Sequence, residues 1–101
     1  MKHLVFSLSM PHCGSWNGKW SQENEKHTRA RTFTNAQFAR LPKNIFGQHF
    51  YRWNDGWEAC VNVELVDAKT KRLWLKHSAG FCGYDWMIDS ILKHGKIVKE
   101  D

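Results

Sequence analysis

With 42% hydrophobic and 14% aromatic residues in a chain of 101, the composition is that of a folded globule, because disorder requires low hydrophobicity and few aromatics. That length supports one domain with a single core, and no linker-like stretch divides it. The formal net charge of +5 resides entirely in residues 1–47, where seven Lys and Arg meet two acidic residues, whereas residues 48–101 carry eight of each.

Leu4, Phe6, Leu8 and Met10 alternate along residues 3–10 and predict a first strand, which Pro11 ends. The same segment is too interrupted by Ser7 and Ser9 for a signal-peptide core, and no apolar run approaches the roughly 18 residues of a membrane span. A cytoplasmic setting without membrane association is therefore expected. Residues 11–27 are polar, rich in turn formers and tryptophan, and read as a long loop or irregular hairpin; loops of this length usually serve a function. Within it Trp16-Asn17-Gly18-Lys19-Trp20 surrounds a turn signal, and a two-residue Asn-Gly turn puts Trp16 and Trp20 on opposite faces.

Residues 28–34 predict a second strand, with Arg29, Arg31 and Phe33 on one side and Thr28, Ala30 and Thr32 on the other. Basic groups interleaved with aromatics suit a single-stranded nucleic acid, and Lys26, Arg29, Arg31, Arg40 and Lys43 are the candidate phosphate contacts. The competing expectation is a solvated strand face that keeps a small protein in solution. Asn35 is the expected cap of a short helix that runs to about Leu41 and stops before Pro42.

Residues 48–53 and 57–66 predict a hairpin, closed by Asn54-Asp55-Gly56 with Gly56 in the left-handed region. Trp57, Ala59, Val61, Val63 and Leu65 take one face, expected to be buried; Glu58, Cys60, Asn62 and Glu64 take the other, expected to be wet. Trp53 and Trp57 become cross-strand neighbours, an aromatic pairing that contributes about 0.2 to 1 kcal/mol. Asp67 opens a helix to about His77, although Leu73 and Leu75 also alternate as in a strand. Asp85 is the expected cap of the last helix, whose stripe of Met87, Ile88, Ile91 and Leu92 packs on the sheet; it ends near His94-Gly95, and the charged tail beyond is expected to fray. The fold expected is α+β: a mainly antiparallel sheet of about four strands, a C-terminal helix on one face, and one or two short helices.

Chemistry-bearing motifs are few. Cys13, Cys60 and Cys82 are odd in number and contain no C-x-x-C pair, so a reducing compartment is expected. The six histidines show no i, i+4 pair and no cysteine partners at zinc-finger spacing, and no metal or other cofactor is expected. Cys82 stands just before the last helix, where the dipole favours a thiolate, and His77 is near in sequence. A Cys–His nucleophile is conceivable there, but no third orienting residue follows, and a tight glycine-bounded turn with a small buried cysteine is the simpler expectation.

Ser7-Leu8-Ser9-Met10-Pro11 with Gly14-Ser15-Trp16-Asn17-Gly18-Lys19-Trp20-Ser21, then Asn54-Asp55-Gly56-Trp57, then residues 80–91 from Gly80-Phe81-Cys82-Gly83 to Asp89-Ser90-Ile91, resemble a set of small uncharacterised proteins from phages and other mobile elements. The chain departs from that set at Gln22-Glu23-Asn24-Glu25, and a different loop is expected there. The resemblance implies no activity or fold. It does imply a setting in which small accessory proteins bind host macromolecules, including inhibitors of defence systems such as CRISPR-Cas. Trp16, Asn17, Lys19, Trp20, Trp53, Asp55 and Trp57 are then the candidate partner-binding residues, since tryptophan, tyrosine and arginine dominate interface hot spots. Nucleic acid binding through the basic segment is the alternative; an enzyme using Cys82 and an assembly role in a virion or homo-oligomer come behind.

Overall fold

A computed structural model describes residues 1–9, 27–76 and 83–99. Four strands, β1 (Lys2–Ser9), β2 (Thr28–Phe33), β3 (Gly47–Arg52) and β4 (Glu58–Val66), form one antiparallel sheet in the order β2-β1-β4-β3. Among the described residues three helices accompany it: α1 (Asn35–Ala39), α2 (Ala68–Lys76) and α3 (Asp85–His94). The α+β architecture expected from periodicity is the one observed, with β1 and β4 central and the chain carried from the β2 edge to the β3 edge through α1.

The register decides which side chains share a face. Leu4 stands opposite Arg31 and Leu65, Phe6 opposite Arg29 and Val63, Leu8 opposite Val61, and Val61 opposite His49. Leu4, Phe6, Leu8, Ala59, Val61 and Val63 thus form one buried sheet face, closed over by Met87, Ile88 and Ile91 of α3 and by Ile45. Each such large apolar side chain contributes about 1.5–3 kcal/mol by leaving water. The apolar stripe read from α3 is the one used.

The opposite face is not uniformly wet. Val5, across from Ala30 and Glu64, is buried beneath the half of the sheet on which α2 packs, with Lys71 of α2 donating to the Thr32 hydroxyl. Cys60 is buried too, contrary to the wet position its parity predicts, and desolvation pushes its thiol pKa up against a smaller opposing backbone hydrogen bond from His49. At the other extreme, Leu65, next to last in β4, is half-exposed although it has the parity of the core. A two-residue period assigns faces; what covers each face is set by elements distant in sequence.

Local signals at the helix ends are corrected at three points. Thr34, not Asn35, caps α1: its hydroxyl accepts from the Gln37 amide at 3.1 Å while Gln37 Oε1 accepts from the Thr34 amide at 3.0 Å, a reciprocal box. Asp85 is the first residue of α3 rather than its cap; Tyr84 holds the cap position and makes no side-chain capping bond. The segment after α3 does not fray through residue 99. Ser90 Oγ accepts from the Val98 amide at 2.6 Å and lies 2.9 Å from the Lys96 carbonyl, which folds residues 96–99 back along the helix with Ile97 against the core.

For α2, the helix prevails over the competing strand. Asp67 Oδ1 accepts from the Thr70 amide at 2.7 Å, an N-terminal cap whose hydrogen bond from the Thr70 backbone is the main reason its carboxyl titrates below the ordinary aspartate value. At the far end of α3, Gly95 takes φ +76° and donates to the Ile91 carbonyl, and a Cβ there would stand 3.2 Å from Pro42. Glycine is required both by the left-handed turn and by the close approach of the two segments.

Candidate interaction surface

The β3–β4 hairpin places two of the tryptophans singled out from the sequence, Trp53 and Trp57, on either side of its turn. The Trp53 amide donates to the Trp57 carbonyl at 2.8 Å and the Gly56 amide to the Trp53 carbonyl at 3.0 Å. Asp55 Oδ1 accepts from the Trp57 amide at 3.1 Å, and Gly56 takes φ +94°, so side chain and backbone both fix the turn. Asp55 therefore shapes the tip as well as presenting a charge on it.

The two tryptophans have different surroundings. Trp53 is half-buried in a cluster with Tyr51, Tyr84 and Trp86: ring centroids are 4.9 Å apart for Tyr51–Trp53, 5.4 Å for Tyr51–Trp86, 5.8 Å for Trp53–Tyr84 and 6.5 Å for Trp53–Trp86. All four contacts are steeply inclined, the edge-to-face arrangement in which each ring's positive rim meets another's negative face, worth about 0.5–1.5 kcal/mol per pair beyond burial. The cluster fastens the start of α3 to the end of β3. Trp57 instead leaves 39% of its surface open at the tip.

Tyr51, Tyr84 and Trp86 are not among the candidate binding residues read from the sequence, although Tyr84 and Trp86 fall in the 80–91 motif. A signal for one of them exists: Tyr51 and Trp53 are two apart on a strand and share its face. Tyr84 and Trp86 join them only because α3 returns to the hairpin. Trp86 also lines a groove of about 440 Å³ on the outer side of α3, with Lys93, Val98 and Lys99 along its walls.

The basic strand is built into the same structure. Arg29 Nε lies 3.2 Å from Asp85 Oδ1 and its Nη2 3.3 Å from Oδ2, while Arg31 Nη1 lies 2.9 Å from Asp89 Oδ1. Two residues of strand advance about 6.7 Å and four residues of helix about 6 Å, so Arg-x-Arg on β2 and Asp-x-x-x-Asp on α3 meet in step. Arg29 and Arg31 occupy the α3 side of the sheet, where each has a carboxylate partner, which weakens the case for a bare phosphate-binding strip. Arg40, at the end of α1, and Lys43 are exposed.

Trp16, Asn17, Lys19, Trp20, Lys26, His77 and Cys82 lie outside the described residues. Among the described residues no group of three or more His, Cys, Asp or Glu could hold a metal ion, and no helix is long and apolar enough to cross a membrane. His49 is engaged structurally, its Nε2 donating to the Ile45 carbonyl at 2.7 Å. Compared with protein-family models, curated proteins and solved structures, the chain matches none.

Proposed function

We propose that this chain is a non-enzymatic accessory protein of a phage or mobile element, acting in the bacterial cytoplasm by binding a host protein or ribonucleoprotein complex through the Trp53–Trp57 hairpin tip. The single observation that carries this reading is Trp57, a large aromatic 39% exposed beside a turn pinned by Asp55 and Gly56. A rigid, exposed indole loses little conformational freedom on binding and adds much apolar area, the combination found at interface hot spots. The Tyr51, Trp53, Tyr84 and Trp86 cluster behind it supplies the stiff base. Interference with a host defence system such as CRISPR-Cas is the kind of outcome this binding serves.

Capture from bacterial lysate on the tagged protein, with and without exhaustive nuclease treatment, tests the proposal. A stoichiometric protein retained after nuclease by the wild type, and lost by a Trp57→Ala variant that still unfolds in one cooperative transition, is expected. Retention that disappears with nuclease would transfer the function to Lys26, Arg40, Lys43 and the tryptophans of residues 16–20, the nucleic acid alternative.

A further inference from the structure

Among the described residues β3 is an edge strand, paired on one side only. Because the Trp53 amide bonds to Trp57, ladder alternation makes 51/59 and 49/61 the hydrogen-bonded pairs of the hairpin. The backbone groups of Gln48, Phe50 and Arg52 therefore point away from β4, and among the described residues no strand takes them up. Sheet edges are ordinarily blunted by lysine, proline, a bulge or a covering element. β2, the other edge, is flanked by α1; β3 contains neither lysine nor proline, carries a single charged residue, Arg52, at its end, and its register with β4 runs unbroken. At its centre Phe50 is 69% exposed.

We propose that this edge docks a second copy of the same chain, β3 against β3, antiparallel and centred on Phe50, to give a sheet continuous across a two-fold axis. The choice of occupant follows from the register. In an antiparallel self-pairing centred on residue 50, Gln48 meets Arg52 of the second copy and Phe50 meets Phe50, so every outward-pointing backbone group stands opposite another outward-pointing one. The side chains match as well. The two phenylalanines cover each other, and Arg52, whose charge is already met by Glu58 through its Nε at 2.8 Å, faces a neutral glutamine and no like charge. A two-fold contact of this kind closes on itself and does not propagate into a filament.

Hydrogen exchange on the full chain, measured from micromolar to millimolar protein alongside sedimentation, tests the pairing. The amides of Gln48, Phe50 and Arg52 gain protection as a dimer forms, while those of His49 and Tyr51, turned inward to β4, are protected at every concentration. Phe50→Lys and Gln48→Pro each weaken self-association by about tenfold or more, with the inward amides still protected as proof of folding. Trp57→Ala leaves dimerisation unchanged, which separates this proposal from the partner-binding one. A protein that stays monomeric, a dimer whose three outward amides still exchange freely, or protection of those amides in the monomer would each overturn it, the last by showing that the chain covers its own edge.

Discussion

Reversing the charges of Arg29 and Arg31 together, to Glu, asks whether the basic strand serves the fold or a phosphate backbone. Both ion pairs are short, but their side chains are between 39% and 65% exposed, so solvent screens each pair and the expected worth is about 0.2–1 kcal/mol apiece. Reversal removes two attractions and creates two repulsions of similar size, which adds up to about 0.8–4 kcal/mol for the double variant. In a domain of this length each kcal/mol moves the melting temperature by about 4–8 °C. Adding Asp85→Lys and Asp89→Lys restores both pairs with inverted polarity. Recovery falls short by about 0.3–1 kcal/mol, because Asp85 sits in the first turn of α3, where a negative charge favours the helix dipole and a lysine opposes it. Thermal unfolding of the four proteins in low and high salt measures this, and the differences shrink at high salt. A quadruple variant no more stable than Arg29→Glu/Arg31→Glu would refute the pairing. A quadruple variant that regains stability but loses nucleic acid binding present in the wild type would return these arginines to the phosphate-contact role.

Ser90→Ala removes the acceptor of the Val98 amide and the hydroxyl donor beside the Lys96 carbonyl, and should cost about 1–3 kcal/mol for two hydrogen bonds; amide exchange at Val98 rises more than at the core residue Ile91, and equal rises would refute a locally tethered tail. Asp67→Ala tests the α2 cap through its pH dependence. The folded carboxyl titrates below its ordinary value, so its contribution is complete above the unfolded pKa and disappears as pH falls through the folded one. Denaturant unfolding should show wild type and variant furthest apart at neutral pH and converging in acid; a gap constant with pH would assign the cap no role for the charge.

Much of the fold was legible in the chain because each strand of the core carries its own two-residue period. Leu4, Phe6 and Leu8, or Ala59, Val61 and Val63, declare a common face without reference to anything else, and Asn54-Asp55-Gly56 dictates its turn through the positive φ that Gly56 adopts. The stripe Met87, Ile88, Ile91 and Leu92 did the same for α3. Local chemistry was less decisive where two residues competed for one role. Thr34 won the α1 cap from Asn35 because Gln37, three positions on, completes its reciprocal box.

The sequence by itself determined the four strands, the hairpin turn and the apolar stripe of α3, since these depend on backbone preference and short-range periodicity, but it left residues 67–77 open between helix and strand and put Trp57, 39% exposed in the structure, on the buried face. Tertiary structure alone decided three matters: that α2 packs on β1 and β2 on the face where Val5 is buried, that Asp85 and Asp89 of α3 meet Arg29 and Arg31, and that Tyr84 and Trp86 complete the cluster around Trp53. The physical reason is common to all three. A side chain's environment is set by whichever segment packs against it, here one more than thirty residues away along the chain, and no local pattern encodes which of several amphipathic segments will take that place.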